Sequence, residues 1–329
     1  MTQQWALAGV LPFIIALVVI ALLRRSRWAA RLADEPNERS LHSLPTPRLG
    51  GIGVMAGTLP VAALFAGDSL GVVLACAAAL ALVSLADDLQ SLPIQVRLPA
   101  HFAAATLTVL VIAAPAGAHS GLGAVEAVLA VVGIVWMTNL FNFMDGSDGL
   151  AGGMAAIGFG ALAIAAGEAG AMALALVAKC VTSASLGFLV HNFPPARVFL
   201  GDAGSVPLGF LAGALGLSGV FTGTWPLWFP LLVFSPFIAD ASVTLLRRVV
   251  RGERFWRAHR THYYQRLVLA GWSPRRLALG AYALMAAAAA SALAGGAADR
   301  TARFGIILVW AALYVLLFIA IERRTRRQA

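Results

Sequence analysis

The sequence has 329 residues, 60% of them hydrophobic and only 12% charged, with one Lys and 23 Arg setting a net charge of +9. Soluble domains run at about 45–50% apolar and about 25% charged, so an ordinary water-soluble enzyme is excluded. A membrane span takes about 20 apolar residues, so the apolar runs use most of the chain, and one integral membrane domain over 1–329 is expected.

The apolar segments, in chain order, are about 5–23, 51–67, 70–86, 99–115, 122–140, 150–167, 169–190, 205–221, 226–246, 276–295 and 303–321. They predict an all-α polytopic membrane protein with about eleven helices. The first run, Trp5–Leu23, has no charge before it and Arg24, Arg25 and Arg27 after it. A cleavable signal peptide has the opposite polarity, so this is a first span that starts outside. Counting from there, the loops 24–50, 87–98, 141–149, 191–204 and 247–275 and the tail 322–329 fall inside. Almost all the loop Arg residues lie in them, against Arg300 and Arg303 outside. Positive charge concentrates on the cytoplasmic side, which predicts N-out, C-in. The Arg residues flank apolar runs, so they read as topology and lipid-headgroup signals, and no nucleic-acid partner is expected. Cys76 and Cys180 lie inside apolar runs and read as buried free thiols.

The acids share this asymmetry. Of nine Asp, six (Asp34, Asp87, Asp88, Asp145, Asp148, Asp202) fall in or beside inside loops, so the polar chemistry converges on the cytoplasmic face. The first inside loop carries Arg39, His42 and Arg48 before Gly50-Gly51, a phosphate-binding surface. Asp87-Asp88 ends the third span, where two adjacent carboxylates repel unless a cation neutralises them. Arg97 follows. Asn142-Phe-Met-Asp-Gly-Ser-Asp-Gly spaces Asn142, Asp145 and Asp148 by three, so a helical turn would put them on one side. Hard oxygen ligands of this kind suit Mg²⁺, which keeps waters and recruits substrate phosphates, with Mn²⁺ as the alternative ion. His191-Asn192 opens the next inside loop, where Asp202 lies between Gly201 and Gly204 in reach of a metal, and Ser205 could cap the following span. His259 and His262, among Arg residues, read as a polyphosphate site; zinc would need acids or Cys nearby. Asp240 is an ionisable group within a span, either functional or hydrogen-bonded to a neighbouring helix.

Together and in this order, Pro47-Arg-Leu-Gly-Gly51, Asp87-Asp88, the Asn142–Gly153 stretch, Phe199-Leu-Gly-Asp-Ala-Gly-Ser205 and the His259/His262 loop resemble the polyprenyl-phosphate N-acetylhexosamine-1-phosphate transferase family. The resemblance implies a magnesium-dependent enzyme of the bacterial inner membrane, its active site facing the cytoplasm. It would transfer a sugar-1-phosphate from a UDP-N-acetylhexosamine to undecaprenyl phosphate and release UMP. It implies Asp87 and Asp88 as the acidic pair near the lipid phosphate, and Asn142, Asp145 and Asp148 as positioning the donor diphosphate and metal. Asp202 would ligate Mg²⁺ directly, with Asp145 beside it. Arg39, His42, Arg48, Arg97, Asn192, His259 and His262 would contact the substrates. A homodimer follows by analogy only.

The His-x-x-His spacing, followed by Tyr263-Tyr264-Gln265, departs from the family's commoner His-x-His form and is similar to the branch that initiates O-antigen with N-acetylated 6-deoxyhexosamines. Arg97 replaces the Lys usual in peptidoglycan-precursor relatives, against a MurNAc-pentapeptide donor. Attack of the lipid phosphate on the β-phosphorus, direct or through a phospho-aspartate, stays open, with direct attack favoured because a phosphate monoester is already largely dianionic at neutral pH. The rivals are a transporter, whose site would lie near the bilayer midplane, and a CDP-alcohol phosphotransferase, whose motif the Leu-Ala-Gly-Gly after Gly149 does not continue.

Overall fold

The computed structural model describes residues 2–36, 44–113, 123–253, 259–296 and 298–326. The elements run α1 (Thr2–Leu23), α2 (Trp28–Arg31), β1 (Ala33–Asp34), β2 (Thr46–Pro47), α3 (Gly50–Ala63), α4 (Asp68–Gln90), α5 (Ile94–Ala113), α6 (Ala124–Phe143) and α7 (Leu150–Glu168). There follow α8 (Met172–Asn192), α9 (Asp202–Phe221), α10 (Trp228–Val233), α11 (Ser235–Val250), α12 (Tyr263–Leu269), α13 (Pro274–Gly296) and α14 (Arg300–Arg326). β1 and β2 form a two-stranded antiparallel sheet. The chain is an all-α polytopic membrane protein. In lipid, helices satisfy their own backbone polar groups, and the apolar runs leave that as the available structure.

Among the described residues, nine helices are long and apolar enough to cross a membrane: α1, α4 to α9, α13 and α14. The two remaining apolar segments differ from the sequence expectation. The segment expected at 51–67 forms only the 14-residue α3. The segment expected as one span over 226–246 is broken at Phe234 into α10 and α11. Pro236 has no N–H for the Leu232 carbonyl one turn back; the Ser235 hydroxyl donates to that carbonyl instead, at 2.7 Å.

The helices are not equal. About 83% of the apolar stretch of α9 is buried against its neighbours, whereas only 6% of that of α14 is. α9 packs on α6 through Gly209 and Gly213, whose missing Cβ atoms leave room for the Met137 carbonyl and Ile134. Small residues four apart allow such close approach where lipid supplies no hydrophobic drive. α9 is therefore the central post, and its first residue, Asp202, is fixed at one end of the bundle. The segments 44–49, 144–149 and 193–201 gather at that same end through hydrogen bonds between them, and the end of α4 and His259 and His262 meet them there at one cavity. These are the loops that the alternation of spans assigned to one side.

Candidate active site

The site starts from how α4 stops. Ser91 takes a left-handed conformation (φ 52°) and its N–H closes on the Asp87 carbonyl at 2.8 Å. The turn brings the Leu92 N–H to Asp87 Oδ1 at 2.6 Å and points Oδ2 at Arg97 of α5, 2.7 Å away. Arg97 also faces Asp202 at 3.7 Å. Asp88 turns the other way. Its carboxylate accepts the N–H groups of Asp202 (3.3 Å) and Ala203 (3.0 Å), the first of α9. The helix cap expected from Ser205 is thus supplied by Asp88, from a distant helix, where a carboxylate also meets the favourable end of the helix dipole. The Ser205 hydroxyl instead donates to the Gly201 carbonyl at 3.1 Å. Arg48 completes the knot, pairing with Asp88 Oδ1 at 3.1 Å and donating to the Asp88 carbonyl at 3.2 Å.

Arg48 is held by backbone. It bridges to Phe199, and the N–H groups of Gly50 and Gly51 donate to the carbonyls of Phe199 and Leu200 at 2.9 and 2.7 Å. Gly51 and Gly204 lie back to back, too close for a Cβ on either. The 47–51 segment and the start of α9 therefore form one rigid unit.

Residues 144–149 form a turn between α6 and α7. The helical spacing expected to align Asp145 with Asp148 does not occur. Asn142, in the last turn of α6, donates to Asp202 Oδ1 at 2.8 Å and to Ser205 Oγ at 3.0 Å. Burial, then the charges of Asp202 and Asp88, push the Asp145 carboxyl well above the usual carboxylate range, against a hydrogen bond from Gly201. Asp148 Oδ2 accepts the Ala196 N–H at 2.9 Å. Asn192 is buried, with its carbonyl on the Gly149 N–H and its amide on the Val198 carbonyl, both at 2.8 Å. Both groups tie loop to loop. Arg39 and His42 lie outside the described residues.

His262 is 2% exposed and faces Asp240 Oδ1 through Nδ1 at 3.3 Å. Asp240 accepts the N–H groups of Tyr263 (2.9 Å) and Tyr264 (3.0 Å), so it caps α12 and fastens the histidine loop to α11. The structural alternative for Asp240 is the one realised. His259 lies against His262 with ring centroids 4.9 Å apart and the rings tilted by 33°. Burial, with His262 and Arg248 nearby, pushes the His259 imidazole down to about 4.

One cavity of about 550 Å³ runs between the acidic pair and the histidines; Arg48, Asp88, Asp145, Asp148 and Asn192 are not among the residues that line it. Asp87, Arg97, Asn142, Asp202, His259 and His262 line its polar end, and Ile94, Leu98, Val132 and Trp136 its apolar wall. It is also lined by Gln265, which the sequence showed only as part of the departure after His262, and by His101 and Asn139, which sequence reasoning did not single out. His101 follows Arg97 by four on α5 and Asn139 precedes Asn142 by three on α6; that helical spacing was the available signal. Among the described residues, no three His, Cys, Asp or Glu side chains stand as a ready metal cage. The donor set fits an ion held by two carboxylates and completed by substrate oxygens, because Asp145 and Asp202 bring like charges together that an incoming cation would relieve.

Comparison with known proteins places the chain in a family. A family model described as glycosyl transferase family 4 matches residues 70–220. A phospho-N-acetylmuramoyl-pentapeptide-transferase of Moorella thermoacetica is 33% identical over 84% of this chain and 93% of its own. An undecaprenyl-phosphate alpha-N-acetylglucosaminyl 1-phosphate transferase of Yersinia pestis is 28% identical over 93% of this chain and 87% of its own. A probable undecaprenyl-phosphate N-acetylglucosaminyl 1-phosphate transferase of Bacillus subtilis is 27% identical over 84% and 80%. With relatives matched over 84% or more of the chain, one of them at 33% identity, and the acidic pair, Asn142 and Asp202 meeting at one end of the bundle, the chain belongs to glycosyl transferase family 4 and is a multi-pass membrane enzyme.

Proposed function

We propose that this protein transfers N-acetylhexosamine-1-phosphate from a UDP-sugar to undecaprenyl phosphate, releasing UMP and starting a lipid-linked surface glycan of the O-antigen type. The observation that carries the reading is the single cavity whose apolar wall runs into a polar end of carboxylates, arginine and histidines. Such a space suits one lipid substrate and one polyanionic substrate at once. The Arg distribution supports a cytoplasmic site in the bacterial inner membrane. Arg97 favours a simple N-acetylhexosamine donor over a MurNAc-pentapeptide donor.

In this reading the lipid phosphate enters beside Arg97, and an oxygen of it attacks the β-phosphorus of the donor. The bond from that phosphorus to the bridging oxygen breaks, and UMP leaves with the oxygen. The attacking phosphate is largely dianionic near pH 7 (second pKa about 6) and needs no base. Both Asp87 oxygens are engaged by Leu92 and Arg97, and both Asp88 oxygens by α9 and Arg48. The pair is thus suited to aiming two guanidinium groups, and this supports direct attack over a phospho-aspartate. Asp145 and Asp202 would hold a Mg²⁺, or Mn²⁺, whose charge when bound would stabilise the negative charge of the diphosphate. Asn142 orients Asp202, and His259 and His262 face the donor, the His259 imidazole held towards its neutral form by burial.

The test uses purified protein in lipid with Mg²⁺, undecaprenyl phosphate and a panel of UDP-N-acetylhexosamines, 6-deoxy members included. UMP and lipid-linked sugar from one donor, lost on adding EDTA, are expected. No UMP with any donor from folded protein would contradict the proposal and favour a transporter; turnover only with a MurNAc-pentapeptide donor would reassign the substrate.

A further inference from the structure

His262 and the first two residues of the seven-residue α12 present three aromatic side chains in a row, and each goes to a different part of the molecule. His262 faces the cavity. Tyr264 turns inward: its hydroxyl donates to the Phe143 carbonyl at 3.1 Å and fills the space that a Cβ on Gly146 would need. The histidine loop is thereby keyed to the turn that carries Asp145. Burial, with the Asp240 and Asp145 carboxylates nearby, pushes the Tyr264 phenol up, so it stays a neutral donor. Tyr263 turns outward, to α14. Its hydroxyl donates to Glu322 Oε1 at 2.8 Å, and its ring stacks on Phe318 with centroids 4.1 Å apart. Arg247 of α11 pairs with the same Glu322 carboxylate and donates to the Tyr263 hydroxyl. Arg266 of α12 donates to Thr325 Oγ1 at 2.8 Å.

This concentration of polar contacts is not what a lipid-facing helix needs. With 6% of its apolar stretch buried, α14 could cross a membrane on composition alone. A carboxylate at the end of a span can turn to water, yet Glu322 is turned inward, onto the one residue between His262 and Tyr264.

We infer that Glu322 is a positioning residue for the donor end of the site: by fixing Tyr263 it sets His262 against the cavity and Tyr264 against the Asp145 turn. The inference rests on the reading that His259 and His262 face the nucleotide-sugar. Asp240 and Glu322 then act as a pair, one holding the backbone of the α12 first turn and the other its outward side chain.

The experiment measures binding of UDP with Mg²⁺, and separately of undecaprenyl phosphate, to the full-length protein in lipid. Glu322→Gln is expected to weaken UDP binding by about threefold to tenfold, the scale of one charge-assisted hydrogen bond acting at a distance, with undecaprenyl phosphate binding unchanged. Tyr263→Phe should give the same loss, and the double variant no more than either, because both break one link. Tyr314→Phe supplies the control: it removes an anchor of α14 away from α12, the 2.6 Å contact with Ser235, and should lower thermal stability without moving UDP affinity. Should Glu322→Gln fail to fold, Tyr263→Phe carries the test alone. Unchanged UDP affinity in Tyr263→Phe, additive losses, or an equal loss in Tyr314→Phe would overturn the inference. His262→Ala separates the two layers. If it leaves UDP binding intact, the donor reading falls and this inference with it; if it weakens binding and Tyr263→Phe does not, the inference alone falls.

Discussion

The two ends of the cavity are built by different means. The carboxylate–arginine end is locked into the bundle core: the Asp88 carboxylate caps α9, the helix whose apolar stretch is most buried, and 47–51 is laced to 199–200 by main-chain hydrogen bonds. The histidine end hangs on side chains from the amphipathic α11 and the exposed α14. A part locked into the bundle core cannot change without the bundle, whereas a part held by side chains can be retuned. Chemistry common to the family would sit in the first, and choice of donor in the second.

The largest effect is expected where the site is most rigid. Asp202→Asn should lower turnover by about 10³-fold, in the range lost when a charge-stabilising group is removed, while the melting temperature stays within a few degrees and Mg²⁺ no longer restores EDTA-treated protein. Near wild-type turnover would remove Asp202 from metal binding. Asp88→Ala should act on folding as well. It leaves Arg48 with only the residue 88 carbonyl and two N–H groups of α9 without their acceptor, a loss of about 3–5 kcal/mol for a broken buried pair, read as a fall in melting temperature. Arg48→Lys comes next, at about tenfold, because an ammonium cannot serve both the Asp88 carboxylate and its carbonyl as the guanidinium fork does. An activity equal to wild type would show that the fork is not needed.

At the histidine end the effects should be smaller and differently distributed. His262→Ala should raise the donor KM by about tenfold with the acceptor KM unchanged; equal changes in both would deny the division of the cavity. The smallest effect is a pH dependence. His259 is held near 4 in the folded state against 6.5 ordinarily, so between these values the unfolded chain binds more protons and stability rises with pH. Melting temperature should therefore fall as pH drops from about 6.5 towards about 4, and His259→Gln should flatten that slope by about 2 °C. An identical slope in the variant would remove His259 as its source.

Much of this division was legible in the sequence. Asp87, Asp88, Asp145, Asp202 and Arg97 are polar groups at the edges of apolar runs, and alternation of spans alone put them on one side. What holds them was not legible. Asp88 caps a helix that begins 114 residues later, and no local pattern connects the two. The break between α10 and α11 was hidden because Pro230 and Pro236 sit in an apolar run that reads as one span. Glu322 was hidden by its neighbours: before Arg323 and Arg324 it reads as part of a basic tail, and only folding sets it on Tyr263.

The most direct test of the rigid end is rapid mixing of wild-type protein with labelled UDP-sugar and Mg²⁺, without undecaprenyl phosphate. Direct attack, with Asp87 and Asp88 engaged in holding Arg97 and Arg48, predicts no UMP until the lipid phosphate is added. A burst of UMP equal to the enzyme present, with sugar phosphate left on the protein and lost in Asp87→Asn, would contradict it and make the acidic pair the nucleophile.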